Sequence, residues 1–158
     1  MTADESLMDN DPGVLAAREE AAIHIVKNRM WWSAGLGLLW MPFIDAAAVV
    51  AIQLTMLHRL CEMYGVAYDR DRLKEWIASL AGGIGPTMVL KRVVPLVGML
   101  TGPIVYGAST YAIGKVFIQH FETGGTLLSF DADRMRSYFA KFYAEGRTMS
   151  APPKTARA

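Results

Sequence analysis

The sequence predicts an all-α fold: a helical bundle carrying one or two Gly/Pro-rich apolar membrane-associated helices or hairpins. Three observations predict it. No segment sustains the period-2 alternation with β-branched enrichment that marks strands, and no fixed-period repeat is evident. Stretches of helix formers recur instead, punctuated by Pro and Gly. Two long stretches are almost free of charge: Met30–Leu57, where Asp45 is the single charged residue, and residues 93–114, which have none. At 158 residues and 53% apolar composition the chain fits one domain. Its mean hydropathy of +0.22 excludes disorder throughout. One cysteine, Cys61, excludes an internal disulfide framework and a multi-cysteine zinc module. Sixteen basic against fifteen acidic residues give a net charge of +1, so no global attraction to nucleic acid is expected.

Each element has a local reason. Residues 1–13 carry Asp4, Glu5, Asp9 and Asp11 without a base, and residues 147–158 carry Arg147, Lys154 and Arg157 without an acid. Both are polar and proline-punctuated, so they read as tails flanking a single helical domain over 14–146. The acidic start also argues against a secretory signal, which needs a basic n-region. Residues 14–29 place their acids early and Lys27 and Arg29 late, as the helix dipole favours. The uncharged segment 30–41 then carries Trp31, Trp32 and Trp40. Pro42 suits the first turn of a second helix, where its missing N–H has no partner to lose, and Gly65 is a fitting stop after Tyr64. Asp69 or Asp71 opens a helix over 69–81, broken by the Gly82-Gly83-Ile-Gly85-Pro86 stretch. A last helix is expected over 130–145, closed by Gly146. There Met135, Tyr138, Phe139, Phe142 and Tyr143 follow the spacing of one apolar face.

Length decides how the uncharged stretches meet a bilayer. A helix over 93–114 would reach about 33 Å, enough for a hydrocarbon core of about 30 Å. Insertion or stable association at the membrane is the expectation, with Pro95 and Pro103 kinking the run or dividing it into a hairpin. The alternative is a buried core helix of a water-soluble fold. The earlier stretch either crosses with Asp45 inside the protein or folds at Pro42 into two short pieces. Its tryptophans favour the bilayer interface. With two crossings, summed Lys/Arg counts favour both termini in the cytoplasm, a bias that mostly disappears when only charges near the crossings are counted, so orientation is left open. Gly98-Met-Leu-Thr-Gly102 has the GxxxG spacing that lets helix backbones approach closely, and Gly107 continues the glycine series. Such contacts also admit a homo-oligomer.

The search for chemistry is mostly negative. Gly102-Pro-Ile-Val-Tyr-Gly107 has the glycine spacing of a phosphate-binding loop, but Ala108-Ser109 stands where the lysine belongs. His58, Cys61 and Glu62 could share one helix face, yet one thiol and one imidazole make an incomplete metal site, and a plain amphipathic turn accounts for them. No nucleophile motif of a known hydrolase occurs. No catalytic residue, cofactor or metal ligand is therefore expected. Asp45 and Gln53 are the notable polar residues of the first uncharged stretch, about 80° apart on a helix, and could face one cavity or partner. Asp45 equally suits the amides of a helix start, and Gln53 an interhelical hydrogen bond. The stripe Tyr138, Phe139, Phe142 and Tyr143 reads as core.

Met41-Pro-Phe-Ile-Asp45, Gln53, Met56 and Tyr64-Gly65, followed by Pro95-Leu-Val-Gly98, Gly102, the Gly107–Gly114 run and His120-Phe-Glu-Thr-Gly-Gly125, resemble the bacterial DUF-697 (YcjF-like) family over roughly residues 20–145. The resemblance implies a helical inner-membrane module working with a GTPase. Since this chain lacks a GTPase domain, that partner would act in trans. The combined expectation is a non-enzymatic docking or regulatory module at the cytoplasmic membrane, touching lipid. Gly98, Gly102 and Gly107 would allow tight helix contact, while Asp45 and Gln53 set polar register. The competing readings are a pore or transporter component lined by Asp45 and Gln53, and a soluble helical interaction domain.

Overall fold

The computed structural model describes residues 11–36, 42–82 and 95–150, and side-chain surroundings for 11–35, 47–80 and 103–150. It contains α1 (Pro12–Leu36), α2 (Pro42–Tyr64), α3 (Arg70–Gly82), α4 (Pro95–Glu122) and α5 (Ala132–Ser150), with no strand among the described residues. Most of both expected tails, residues 1–10 and 151–158, lies outside them.

Capping side chains fix three of the helix starts. Asp11 Oδ1 accepts from the Gly13 amide at 2.8 Å, with Pro12 in the first helical position, so α1 begins inside the expected acidic tail. Of the two candidate caps for α3, Asp69 takes the role, accepting from the amides of Asp71 and Arg72 at 3.1 and 3.2 Å. Asp131 does the same for Asp133 and Arg134, moving the start of α5 just past Phe130. Helices α2 and α4 both end in a glycine at positive φ, Gly65 (64°) and Gly124 (76°). In each case the glycine amide reaches the carbonyl three residues back and the next amide reaches five back: Gly65 to Glu62 and Val66 to Cys61, Gly124 to Phe121 and Gly125 to His120. This is the Schellman closure, and it needs a residue without a Cβ at its left-handed position.

Helix α4 is the axis of the bundle and packs on the other four. Gln53 meets Thr110 and Tyr64 meets Glu122, so α2 runs parallel to it. Ser33 meets Thr110 while Arg18 lies over the Tyr64 ring, so α1 is antiparallel to both. Tyr111 meets Glu145 and Lys115 lies over Phe142, so α5 is antiparallel as well. One end of the bundle, the capped end, gathers the Schellman termini of α2 and α4 with the starts of α1 and α5. The far end gathers the starts of α2 and α4 with the last turns of α1 and α5. The core holds Met30, Met56, Leu57, Leu73, Ile113 and Phe117 at full burial. Helix α3 is fastened by Trp76, which stacks on Phe130 at 4.6 Å, as Phe130 does on Phe117 at 4.6 Å.

Three expectations need correction. No helix among the described residues is long and apolar enough to cross a membrane. The stretch expected to do so is instead the central helix, buried from Val105 to Phe121 wherever it meets its four neighbours. Its Gly, Ser and Thr residues dilute hydropathy because they face helices, which reward small size and hydrogen bonding over apolar area. Pro103 lies within α4 and neither ends it nor turns it into a hairpin. Gly146 does not close α5, which continues to Ser150.

Candidate site: close helix contacts and a buried polar relay

The small residues of α4 divide between two neighbours. Gly107 and Gly114, two turns apart, face α1. A Cβ on Gly114 would collide with the Val26 side chain, and one on Gly107 would stand 3.3 Å from Ala34 Cβ and 3.4 Å from the Met30 carbonyl oxygen, and nearer still, 2.7 Å, to Ser150 Oγ on α5. On the α5 side the glycine is contributed by the partner: a Cβ on Gly146 would lie 2.9 Å from Ala108 Cα. The backbones are therefore close enough that hydrogen replaces a methyl at each crossing. Gly98 and Gly102 belong to α4, but their surroundings lie outside the described residues.

Between these contacts runs a polar relay. Gln53 Nε2 donates to Thr110 Oγ1 at 3.2 Å, and Thr110 Oγ1 donates to Ser33 Oγ at 2.8 Å. All three residues are buried, with Gln53 at 2% exposure and the others at none. A buried hydroxyl or amide without a partner costs about 1–3 kcal/mol, so the chain α2–α4–α1 has one register that satisfies it. Gln53 thus bonds across helices. Asp45 lies in the first turns of α2, and its side chain falls outside the described residues. Sequence reasoning missed Ser33 and Thr110. The available signal was their hydroxyls standing inside uncharged runs, where a polar group needs a partner.

A second polar pair ties α5 to α4: Tyr111 donates to Glu145 Oε1 at 2.6 Å, and burial together with that carboxylate holds the phenol well above its ordinary pKa. At the capped end Tyr64 donates to Glu122 Oε1 at 3.2 Å. Burial first, then the nearby Glu19, raises the Glu122 pKa. His120 is buried, with Nε2 2.9 Å from the Thr126 carbonyl oxygen and Gly125 packed against its ring.

The His58–Cys61–Glu62 turn does not assemble. His58 lies against the Tyr68 ring in a tilted contact at 4.5 Å and approaches Glu62 at 3.6 Å, both exposed, whereas Cys61 points into the core with burial pushing its thiol up to about 11. No group of three or more His, Cys, Asp or Glu side chains among the described residues could hold a metal. Phe139 and Phe142 are buried and Tyr143 half-buried, while Tyr138 stands at the rim. Large apolar side chains are exposed at both ends: Trp31 and Trp32, 59% and 64% exposed on the last turns of α1, and Leu128, 77% exposed, between α4 and α5.

No family model matches the chain, and no solved structure matches it. Magnetosome membrane protein 22 of Magnetospirillum gryphiswaldense is similar: it is 36% identical over 148 residues, covering 87% of this chain and 76% of the relative. Identity at that level over 87% of the chain is enough to place it in the same family as magnetosome membrane protein 22.

Proposed function

We propose that this protein is a non-enzymatic, membrane-associated helical module that docks at the cytoplasmic membrane or a comparable bacterial membrane and positions a partner there. The observation that carries the reading is the kinship with a protein named for the magnetosome membrane. Two features of the chain support it: the uncharged stretches 30–44 and 93–104, the latter ahead of the buried part of α4, and the outward-facing Trp31–Trp32 pair. A docking rather than catalytic role is supported by how the interior polar groups are used. Gln53, Thr110 and Ser33 are bonded to one another, Tyr111 to Glu145, and the Cys61 thiol is buried and protonated. The likeness to the DUF-697 family makes a GTPase acting in trans the partner we assign.

Fractionation of cells expressing the full chain tests the membrane reading. The chain is expected in the membrane pellet, and recovery in the supernatant at ordinary salt overturns the reading. Pulling on the membrane-bound chain then tests the partner: a nucleotide-dependent GTPase is the expected associate.

A further inference from the structure

The Schellman closures of α2 and α4 face the same cleft. These helices run parallel and end at one level, Tyr64 and Glu122 being joined by a hydrogen bond of 3.2 Å. Their left-handed glycines, Gly65 and Gly124, both line an open cleft of about 330 Å³ at the capped end. One wall runs from Tyr64 to Ala67, and the other is Phe121 with the turn from Gly124 to Leu128. That volume lies near the low end of the roughly 300–1,000 Å³ of ligand pockets, enough for one or two side chains.

The walls are mostly apolar, while the field across them is negative. Each helix C-terminus carries about half a negative charge, and two parallel helices ending side by side add their ends at the cleft. Glu122 stands one hydrogen bond from the lining, and Glu19 of α1 acts on it more strongly than Lys115 or Arg18 does. The Tyr64 and Phe121 rings, 5.7 Å apart, give the cleft its aromatic surface. Tyr64 already carries one cation, the Arg18 guanidinium carbon standing 5.3 Å from the ring centroid. Among the described residues no three His, Cys, Asp or Glu groups gather to hold a metal, so the cation that suits this cleft is organic. A charged head on an apolar stem meets both the field and the walls.

The rim is fixed in advance. Leu128 stands at its edge, 77% exposed, yet its turn is firmly bonded. The Thr126 amide donates to Ser129 Oγ at 2.9 Å, and the Ser129 amide and hydroxyl both donate to the Thr126 carbonyl oxygen at 3.2 Å. His120 Nε2 lies 2.9 Å from that same oxygen, and its ring leaves no room for a Cβ on Gly125. Leu127 turns inward and is buried, so the turn is anchored to the core as well. An apolar side chain held outward on such a turn loses little freedom on contact, as interface anchors require.

We infer that this cleft docks a basic segment of a protein partner, a lysine or arginine entering between Gly65 and Gly124 and an adjacent apolar side chain packing on Leu128. Charge decides the occupant: the two helix ends and the Glu19–Glu122 pair oppose an acidic segment and an anionic lipid surface alike. The inference uses none of the residues on which the membrane reading rests, so either can fail alone.

The test follows the backbone amides of the isotope-labelled full chain by NMR as short end-blocked peptides are added: Gly-Leu-Arg-Leu-Gly, Gly-Leu-Glu-Leu-Gly and Gly-Ser-Arg-Ser-Gly. The arginine–leucine peptide is expected to move the amides of Gly65, Gly124, Gly125 and Leu128. The glutamate and serine peptides are expected to bind roughly tenfold more weakly or worse. Glu122→Gln, which keeps an acceptor for Tyr64, should weaken the arginine–leucine peptide by roughly threefold. Leu128→Ser should weaken it by roughly fivefold or more, and both variants should keep the thermal unfolding transition. Amides that stay still, or move equally with the glutamate peptide, overturn the inference, as do variants that bind like the wild type. Dimerisation that Leu128→Ser abolishes makes the cleft a self-interface, and binding to phosphatidylcholine vesicles that the same variant loses makes it a lipid contact. Either result also overturns the basic protein partner. Fractionation with membranes, which tests the other reading, is unaffected by all of these outcomes except the last.

Discussion

Gly114→Ala is the sharpest test of the packing, because two effects of opposite sign compete there. In a helix interior alanine is favoured over glycine by about 0.8–1 kcal/mol. Against that, the new methyl at Gly114 would meet Val26 Cγ1 at 2.7 Å and Cβ at 3.1 Å, with Cγ2 nearer still. Carbon atoms pack best at about 3.5–4.0 Å, so α1 must withdraw or Val26 must rotate. Rotation helps little, since a β-branched side chain in a helix has one strongly preferred rotamer and both methyls and the branch carbon are in the way. Overpacking of this kind costs about 1–3 kcal/mol, which leaves a net change between about zero and a loss of about 2 kcal/mol, at most roughly 8 °C in a chain of this size. Val26→Ala alone should cost about 2 kcal/mol through lost burial and the space left behind. In the double variant the two changes relieve each other, giving a favourable coupling of about 1–2 kcal/mol. Denaturant unfolding of the four proteins measures the cycle. A Gly114→Ala variant that gains the propensity increment, with no coupling to Val26→Ala, would refute the close approach of α1 and α4.

Two further predictions follow from the interior. Thr110→Val removes the shared partner of Gln53 and Ser33 and should cost about 1–3 kcal/mol. Replacing all three together (Ser33→Ala, Thr110→Val, Gln53→Leu) should recover most of that, which the same unfolding assay reads, and equal losses in both would speak against a relay. Cys61, whose folded-state pKa stands at about 11 against 9.0 ordinarily, favours its protonated form in the fold. Its contribution is fully present below pH 9 and is lost as pH rises through about 11, on the order of 2–3 kcal/mol. Cys61→Ala should flatten that part of the alkaline unfolding profile, and an unchanged slope would remove the assignment.

What could be read in the sequence was what local chemistry decides. Pro42 and Gly65 bound α2 because a helix start tolerates a missing N–H and a left-handed stop needs glycine, and both requirements are met within a few residues. The cap of α3 was narrowed to Asp69 or Asp71 for the same reason. Gly146 shows where that logic ends. A stop glycine and a close-approach glycine are the same letter, and only the Ala108 backbone on another helix, 2.9 Å from where a Cβ would stand, makes it the second kind. Gln53 was legible as a polar residue in an apolar run, but Thr110 and Ser33 were not, because a hydroxyl can sit in any helix without announcing a partner.

The 93–114 stretch poses the deeper ambiguity, since an uncharged helix has the same sequence signature whether its surroundings are lipid tails or other helices. The resolution lies in which residues interrupt the apolar pattern. Toward its C-terminal half the interruptions are Gly107, Ser109, Thr110 and Gly114, small or hydroxylated groups that are worthless against lipid and useful against α1, α2 and α5. Toward its N-terminal half, from Pro95 to Ile104, the sole hydroxyl is Thr101. One continuous helix therefore combines two kinds of sequence, a half whose small and hydroxylated residues serve its neighbours and a more uniformly apolar half. The half committed to the bundle is not available to lipid, so the total length of the uncharged run overstates what a bilayer could meet.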